Sequence, residues 1–240
     1  MREIMGDGRW YSAGNAVLHF RSDIAPNNTS KLARKAEELY IAGTMLVGMQ
    51  QVEQRQYWVK AVPDEQGSPD VRSITLIERK EDGRAPDGQF QDLEIVNYEH
   101  SPNETLIEFL LRTKLSDSKA YDNQTIILLH VKEAATCPPP REWIVGLHGC
   151  KHKCPVMLLG RAHPTEPIYT LKQVHPAYKE IITFNLPETI GKQGYTTGTI
   201  NLAWNPNKKE VRHEDEVHCP FESLGITCKA NFIDAREGSR

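Results

Sequence analysis

Acidic and basic side chains follow one another closely in the segment SPDVRSITLIERK, residues 68–80. Asp70 follows a proline, and one residue separates Glu78 from Lys80. Carboxylate oxygens are ligands that Mg²⁺ accepts readily, and an ammonium group beside them can position or activate water. Glu38 adds a further acid, because the helical period of the surrounding apolar residues places it on the flank of the buried face. These residues are candidate ligands for a divalent cation such as Mg²⁺.

The spacing within this segment limits how the site can be built. In one straight strand Asp70 and Glu78 would stand roughly 26 Å apart, too far to share a metal ion unless the chain bends. Asp92 and Glu94 lie on the next predicted strand, at alternate positions, and so on one face. A second arrangement therefore places Glu78 and Lys80 opposite Asp92 or Glu94, within about 5.5 Å across neighbouring strands. A third interpretation is a solvated strand end without a site.

A second group of candidate ligands occurs in GCKHKCP, where Cys150, His152 and Cys154 alternate. An extended segment would project these side chains to one side, and thiolates with an imidazole suit Zn²⁺. A structural zinc needs a fourth ligand from another part of the chain. Such a site would fix the C-terminal segment to the β-rich second half of the chain. The alternative is a surface loop with reduced cysteines. The more distant candidate ligands are His213, His218, Cys219 and Cys228.

The elements that must position these residues are legible in the first half of the chain. Apolar residues at spacings of three and four predict a helix from Asn28 to about Arg55, with Lys31, Arg34 and Lys35 expected on its solvated face. Three β-rich runs follow, separated by turn residues, and predict a meander. SPNETLIEFLLRTK then predicts a helix with Ser101 as N-cap. A buried strand, TIILLHVK, completes this half.

The three consecutive prolines of CPPPRE mark the clearest break along the chain. After them we expect strands and turns almost throughout, including EWIVGLHG as a strand. The predicted fold class is therefore mixed α/β, with an α/β core over residues 1–136. A β-rich region over residues 137–240 either packs against that core or continues its sheet.

The order helix, three strands, helix and strand over residues 28–133 resembles the core of the PD-(D/E)xK, restriction-endonuclease-like superfamily. The resemblance implies that an acid early on the second core strand, a Glu-x-Lys set on the third and a helical glutamate hold one or two divalent cations. Matched literally, these residues are Asp70, Glu78, Lys80 and Glu38. The third strand, DLEIVNYE, has acids but no lysine two positions after them. The resemblance implies a Mg²⁺-dependent endonuclease, or nucleic-acid binding on the same fold.

Composition narrows the classes of partner. The net charge of −3 and a pI near 6.3 argue against a large basic surface and leave room for a local basic patch. The apolar runs are far shorter than the ~20 residues of a membrane-spanning helix, and the N-terminal residues lack the apolar stretch of a secretory signal. We expect an intracellular, cytoplasmic protein with an odd count of reduced cysteines. The alternative to nuclease chemistry is a non-catalytic, zinc-stabilised domain that binds a protein partner.

Overall fold

A computed structural model describes residues 9–20, 30–62, 69–77, 87–99, 103–116, 121, 124–132, 137–163, 165–193, 199–205, 210–213 and 229–231. The predicted mixed α/β fold is confirmed, since helices cover both faces of a mixed sheet. The helices within these residues are α1 (Ala13–Phe20), α2 (Lys31–Glu53), α3 (Leu106–Thr113), α4 (Pro140–Gly146) and α5 (Leu186–Lys192).

Within the described residues, the sheet has eight central strands and an extension beyond β1. The central strands are β1 (Arg9–Ser12), β2 (Tyr57–Ala61), β3 (Val71–Ile77), β4 (Asp87–Tyr98), β5 (Thr125–Val131), β6 (Val156–Arg161), β7 (Ile168–His175) and β8 (Lys179–Asn185). They neighbour one another in chain order. The extension continues outward from β1 with β9 (Thr199–Asn205), β10 (Glu210–His213) and β11 (Lys229–Asn231).

Strand directions follow the lengths of the connections. The predicted meander is confirmed, because β2, β3 and β4 pair antiparallel. β4 and β5 pair parallel, with α3 between them in sequence, since a parallel pair needs a long crossover connection. β5 and β6 are also parallel, so the second half of the chain continues the sheet of the first half.

Two apolar clusters cover the two faces of the sheet. Leu93 and Ile95 of β4 pack in the cluster that contains the buried face of α2. Val96 and Tyr98 of the same strand pack in the cluster that contains Leu110 of α3. This division follows from the alternation of side chains along a strand. Residues 92 and 94 therefore belong to the face that also holds Val96.

Two local predictions were wrong. The N-cap of α3 is Thr105, whose hydroxyl accepts the Glu108 N–H while the Glu108 carboxylate accepts the Thr105 N–H. The expected cap, Ser101, lies outside the described residues. EWIVGLHG contributes to a helix and not to a strand, because Trp143 and Leu147, four residues apart, bury one helical face.

Candidate active site

Asp70 is fixed at the point where the chain enters β3. Its backbone N–H donates to the carbonyl of Leu93 at 3.1 Å, and its Oδ2 atom accepts the N–H of Ile95 at 2.8 Å. Both bonds reach β4, on either side of Glu94. The backbone of the neighbouring strand thus holds the Asp70 carboxylate next to the position of Glu94.

Glu94 is buried in the middle of β4, with 4% of its surface exposed. The ammonium group of Lys114, the residue that follows α3, donates to Glu94 Oε2 at 2.6 Å. A buried carboxylate needs such a partner, because removing its charge from water is costly. The α3 crossover therefore delivers a cation to the acid of the strand that precedes it.

Glu38 lies on the second turn of α2, and its residue surface is 7% exposed. The Nζ atom of Lys35 lies 2.7 Å from Glu38 Oε2. The two side chains form a buried ion pair. Lys35 Nζ also donates to the carbonyl oxygen of Asp70 at 3.5 Å. Lys35 thus links the helical acid to the start of β3.

The pKa values place these residues in one electrostatic field. Burial, and next among the raising effects the charge of Asp70, lifts the pKa of Glu38 to about 7, against the lowering effect of Lys35. Burial also raises the pKa of Asp70, with Glu94 adding to the rise and Lys114 and Lys35 opposing it. We call Glu38, Asp70, Glu94, Lys35 and Lys114 the acid–lysine cluster.

The sequence-predicted site is only partly assembled in this way. Glu38, Asp70 and Glu94 lie in the acid–lysine cluster. Glu78 and Lys80 lie outside the described residues, beyond the end of β3 at Ile77.

The arrangement that placed Glu78 and Lys80 opposite Asp92 or Glu94 is wrong. The antiparallel register sets Arg72 opposite Asp92 and Ile77 opposite Asp87. Asp92 is instead paired with Arg72, whose Nε atom donates to its carboxylate at 2.8 Å. Asp92 therefore has a structural partner at its own register position.

Sequence reasoning missed both lysines of the cluster. Lys35 was expected on the solvated face of the helix, but it is 2% exposed. Its partners, Glu38 and the Asp70 carbonyl, hold it in the interior. The available signal was its position three residues before Glu38, which brings the two side chains to one helical face. Lys114 had no comparable local signal, because its partner is on β4.

The acids of the cluster suit a hard cation by donor type. Burial raises the pKa values of Glu38 and Asp70. A divalent cation bound to them would favour the ionised carboxylates. In this conformation the ammonium groups of Lys35 and Lys114 balance the acids. Within the described ranges no three His, Cys, Asp or Glu side chains are close enough together to hold a metal ion.

The GCKHKCP segment forms the chain between α4 and β6. Cys154 is 1% exposed and packs in the apolar cluster of α3 and α4, with Cys150 against the same cluster. The Nε2 atom of His152 lies 3.2 Å from the carbonyl oxygen of Ser116. The other proposed ligands, Cys219 and Cys228, lie outside the described residues. The zinc site stays a prediction.

Comparison with known proteins assigns the chain to no family. No protein-family model, curated protein or solved structure matches the chain. In the described part of the chain, every helix is too short or too polar to cross a membrane. The geometry of the acid–lysine cluster is therefore the basis on which a function is assigned.

Proposed function

We propose that the protein is a divalent-metal-dependent nuclease that hydrolyses phosphodiester bonds at the acid–lysine cluster. The observation that carries the proposal is that Asp70 lies within electrostatic reach of two buried acids on other elements, Glu38 and Glu94, each of which is ion-paired with a lysine. Such a cluster of partly buried acids is costly to maintain, and perturbed acids of this kind are concentrated at functional sites.

The chemistry that the cluster supports is hydrolysis at phosphorus. The oxygen of a water molecule forms the new bond to phosphorus, the bond from phosphorus to the leaving oxygen breaks, and that oxygen takes up a proton. A bound Mg²⁺ or Mn²⁺ would stabilise the charge on the phosphate and lower the pKa of water. Its candidate ligands are the carboxylates of Glu38, Asp70 and Glu94, which would have to draw closer together than they lie in this conformation to share one ion.

The lysines have a distinct role in this proposal. Lys114 holds the Glu94 carboxylate in position and places a positive charge where negative charge develops on the phosphate. Lys35 keeps Glu38 directed toward Asp70. The proposal therefore keeps the nuclease chemistry that the sequence suggested and transfers the lysine to another element.

A cleavage assay with matched variants tests the proposal. The purified chain is incubated with labelled single-stranded DNA, duplex DNA and RNA, in Mg²⁺ and in Mn²⁺. Glu94→Gln and Asp70→Asn should each lower cleavage by roughly 100-fold or more. Asp92→Asn is the control, because it neutralises an acid on the same strand and face that is paired with Arg72. Absence of cleavage by the unaltered chain, or full activity of Glu94→Gln, would overturn the proposal.

A further inference from the structure

A groove of about 890 Å³ lies beside α4, at the end of β7. Its walls are the second half of α4, the GCKHKCP segment that follows, and the turn between β7 and β8. Its size is typical of a site for a ligand of several rings, roughly 300–1,000 Å³. The residues that matter for its chemistry are Ile144, His148, Lys151, Lys153, Pro176 and Tyr178.

The charge of the groove is of one sign. Lys151, Lys153 and His148 are exposed side chains on its wall. The described residues that line it include neither aspartate nor glutamate. The whole chain has a net charge of −3, so the positive charge of Lys151 and Lys153 is a local excess. A polyanion is the complementary ligand.

The groove also offers apolar surface to its ligand. Ile144 is 58% exposed, and the ring of Tyr178 is half-buried at the opposite wall. A duplex presents mainly phosphates at its surface, whereas a single strand also presents unstacked bases that pack against aromatic and apolar side chains. The combination of ammonium groups and apolar surface therefore favours a single strand.

Two contacts of His152 lead from the groove toward the acid–lysine cluster. His152, which lines the groove, lies within hydrogen-bonding distance of the Ser116 carbonyl, and Ser116 is two residues after Lys114. The ring of Tyr121 contacts the His152 ring edge to face, with centroids 6.0 Å apart. Burial raises the pKa of Tyr121 to about 12, and the charges of Glu94 and Asp70 add to the rise. His152 and Tyr121 thus form a short connection between the two sites.

We propose that this groove binds single-stranded nucleic acid and guides it to the acid–lysine cluster. The guiding role rests on the proposed function, and the binding role does not. The GCKHKCP segment then has a use in which its lysines contact phosphates.

The test measures binding without cleavage. A fluorescent oligothymidine is titrated with the full chain in EDTA at several salt concentrations, and a duplex of mixed sequence is titrated in parallel. The double variant Lys151→Ala/Lys153→Ala should bind the single strand more weakly. The slope of log K against the logarithm of the salt concentration should also become shallower by about 1.4, since each phosphate contact on a single strand contributes roughly 0.7 to that slope. The control Arg55→Ala/Lys192→Ala removes the same charge from exposed positions outside the groove. It should bind as the unaltered chain does.

Each outcome decides one claim. Equal binding by the double variant and the control, or tighter binding of the duplex than of the single strand, would overturn the inference. If the unaltered chain binds no oligothymidine, the inference fails even where cleavage of a short phosphodiester is seen. If binding behaves as expected and no substrate is cut in Mg²⁺ or Mn²⁺, the groove stands and the proposed nuclease function fails. Unfolding curves of both double variants show that each is folded.

Discussion

The ammonium nitrogen of Lys114 lies 2.6 Å from Oε2 of Glu94, so the residue that follows α3 is ion-paired with the middle of β4. The resemblance to the PD-(D/E)xK superfamily leads one to expect a lysine two positions after the acid. That position is Val96, which packs in the apolar cluster beneath α3. The ammonium group beside Glu94 thus comes from Lys114 at the end of α3, while Val96 on the strand packs in the core.

Removal of the Lys114 ammonium group should lower both the cleavage rate and the stability, because the buried Glu94 carboxylate loses this ion pair. We expect Lys114→Met to lower the cleavage rate by roughly 100-fold, because a positive charge beside the reacting phosphate is lost. Lys114→Arg should retain part of the activity. Arg112→Ala is the control, since Arg112 is exposed, two residues away, and paired with Glu104. Equal rates for Lys114→Met and Arg112→Ala, with both proteins folded, would contradict the role of Lys114.

Cleavage should rise with pH through about 7, the pKa to which burial raises Glu38, because the ionised carboxylate is the form that binds a cation. Lys35 lowers the pKa of Glu38. Lys35→Met should therefore move the pH–rate profile to higher pH. Cleavage rates across pH 5 to 9, at saturating Mn²⁺ and at limiting Mn²⁺, measure the shift. An unchanged profile in the folded variant would exclude Glu38 as the titrating group.

The same carboxyl group should make stability depend on pH. Its pKa is raised from 4.5 to about 7, so between these values the native state binds more protons than the unfolded chain. The stability that Glu38 contributes is fully present below pH 4.5 and is lost as pH rises through 7. The free energy of unfolding then falls by roughly 3 kcal/mol. Urea unfolding at pH 5 and pH 8 should show this decline in the unaltered chain and in Glu37→Gln. A decline of the same size in Glu38→Gln would refute the assignment.

Two glycine-to-alanine substitutions should change stability in opposite directions. A Cβ atom on Gly43 of α2 would lie 2.9 Å from the backbone oxygen of Ala13, so Gly43→Ala should destabilise the fold by about 1–3 kcal/mol. A Cβ atom on Gly191 of α5 would meet nothing within 4 Å. Gly191→Ala should then stabilise by about 0.5–1 kcal/mol through its better helix propensity. Urea unfolding of the two variants measures both changes, and stabilisation by Gly43→Ala would show that the α1–α2 contact is not close-packed.

The elements that the sequence predicted well are those whose signals are local. The apolar residues of α2 recur at the helical period over a long segment, and turn residues separate β2, β3 and β4. Both signals predict these elements directly, because each is formed by residues that are close in sequence. The seven-residue helix α4 was misread, since a run as short as EWIVG fits a strand as well as a helix. Its buried residues, Trp143 and Leu147, become informative only once the sheet that they cover is known.

The candidate site was less predictable because its contacts join distant parts of the chain. Asp70 and Glu38 could be selected from their spacing and helical face. The choice of Glu94 over Asp92 depends on which of them lies opposite Arg72, and that is set by strand register. The burial of Lys35 likewise depends on the backbone of Asp70, 35 positions away. No pattern of residue types encodes these partners.

The pairing of β1 with both β2 and β9 has a consequence for synthesis on the ribosome. β2 follows β1 within tens of residues, whereas β9 emerges about 190 residues later, roughly 10–40 s at ordinary elongation rates. During that interval the edge of β1 that later pairs with β9 has unpaired backbone groups, including those of Trp10. Another nascent chain could pair with them. Rapid elongation or a chaperone at this stage should therefore raise the yield of soluble protein.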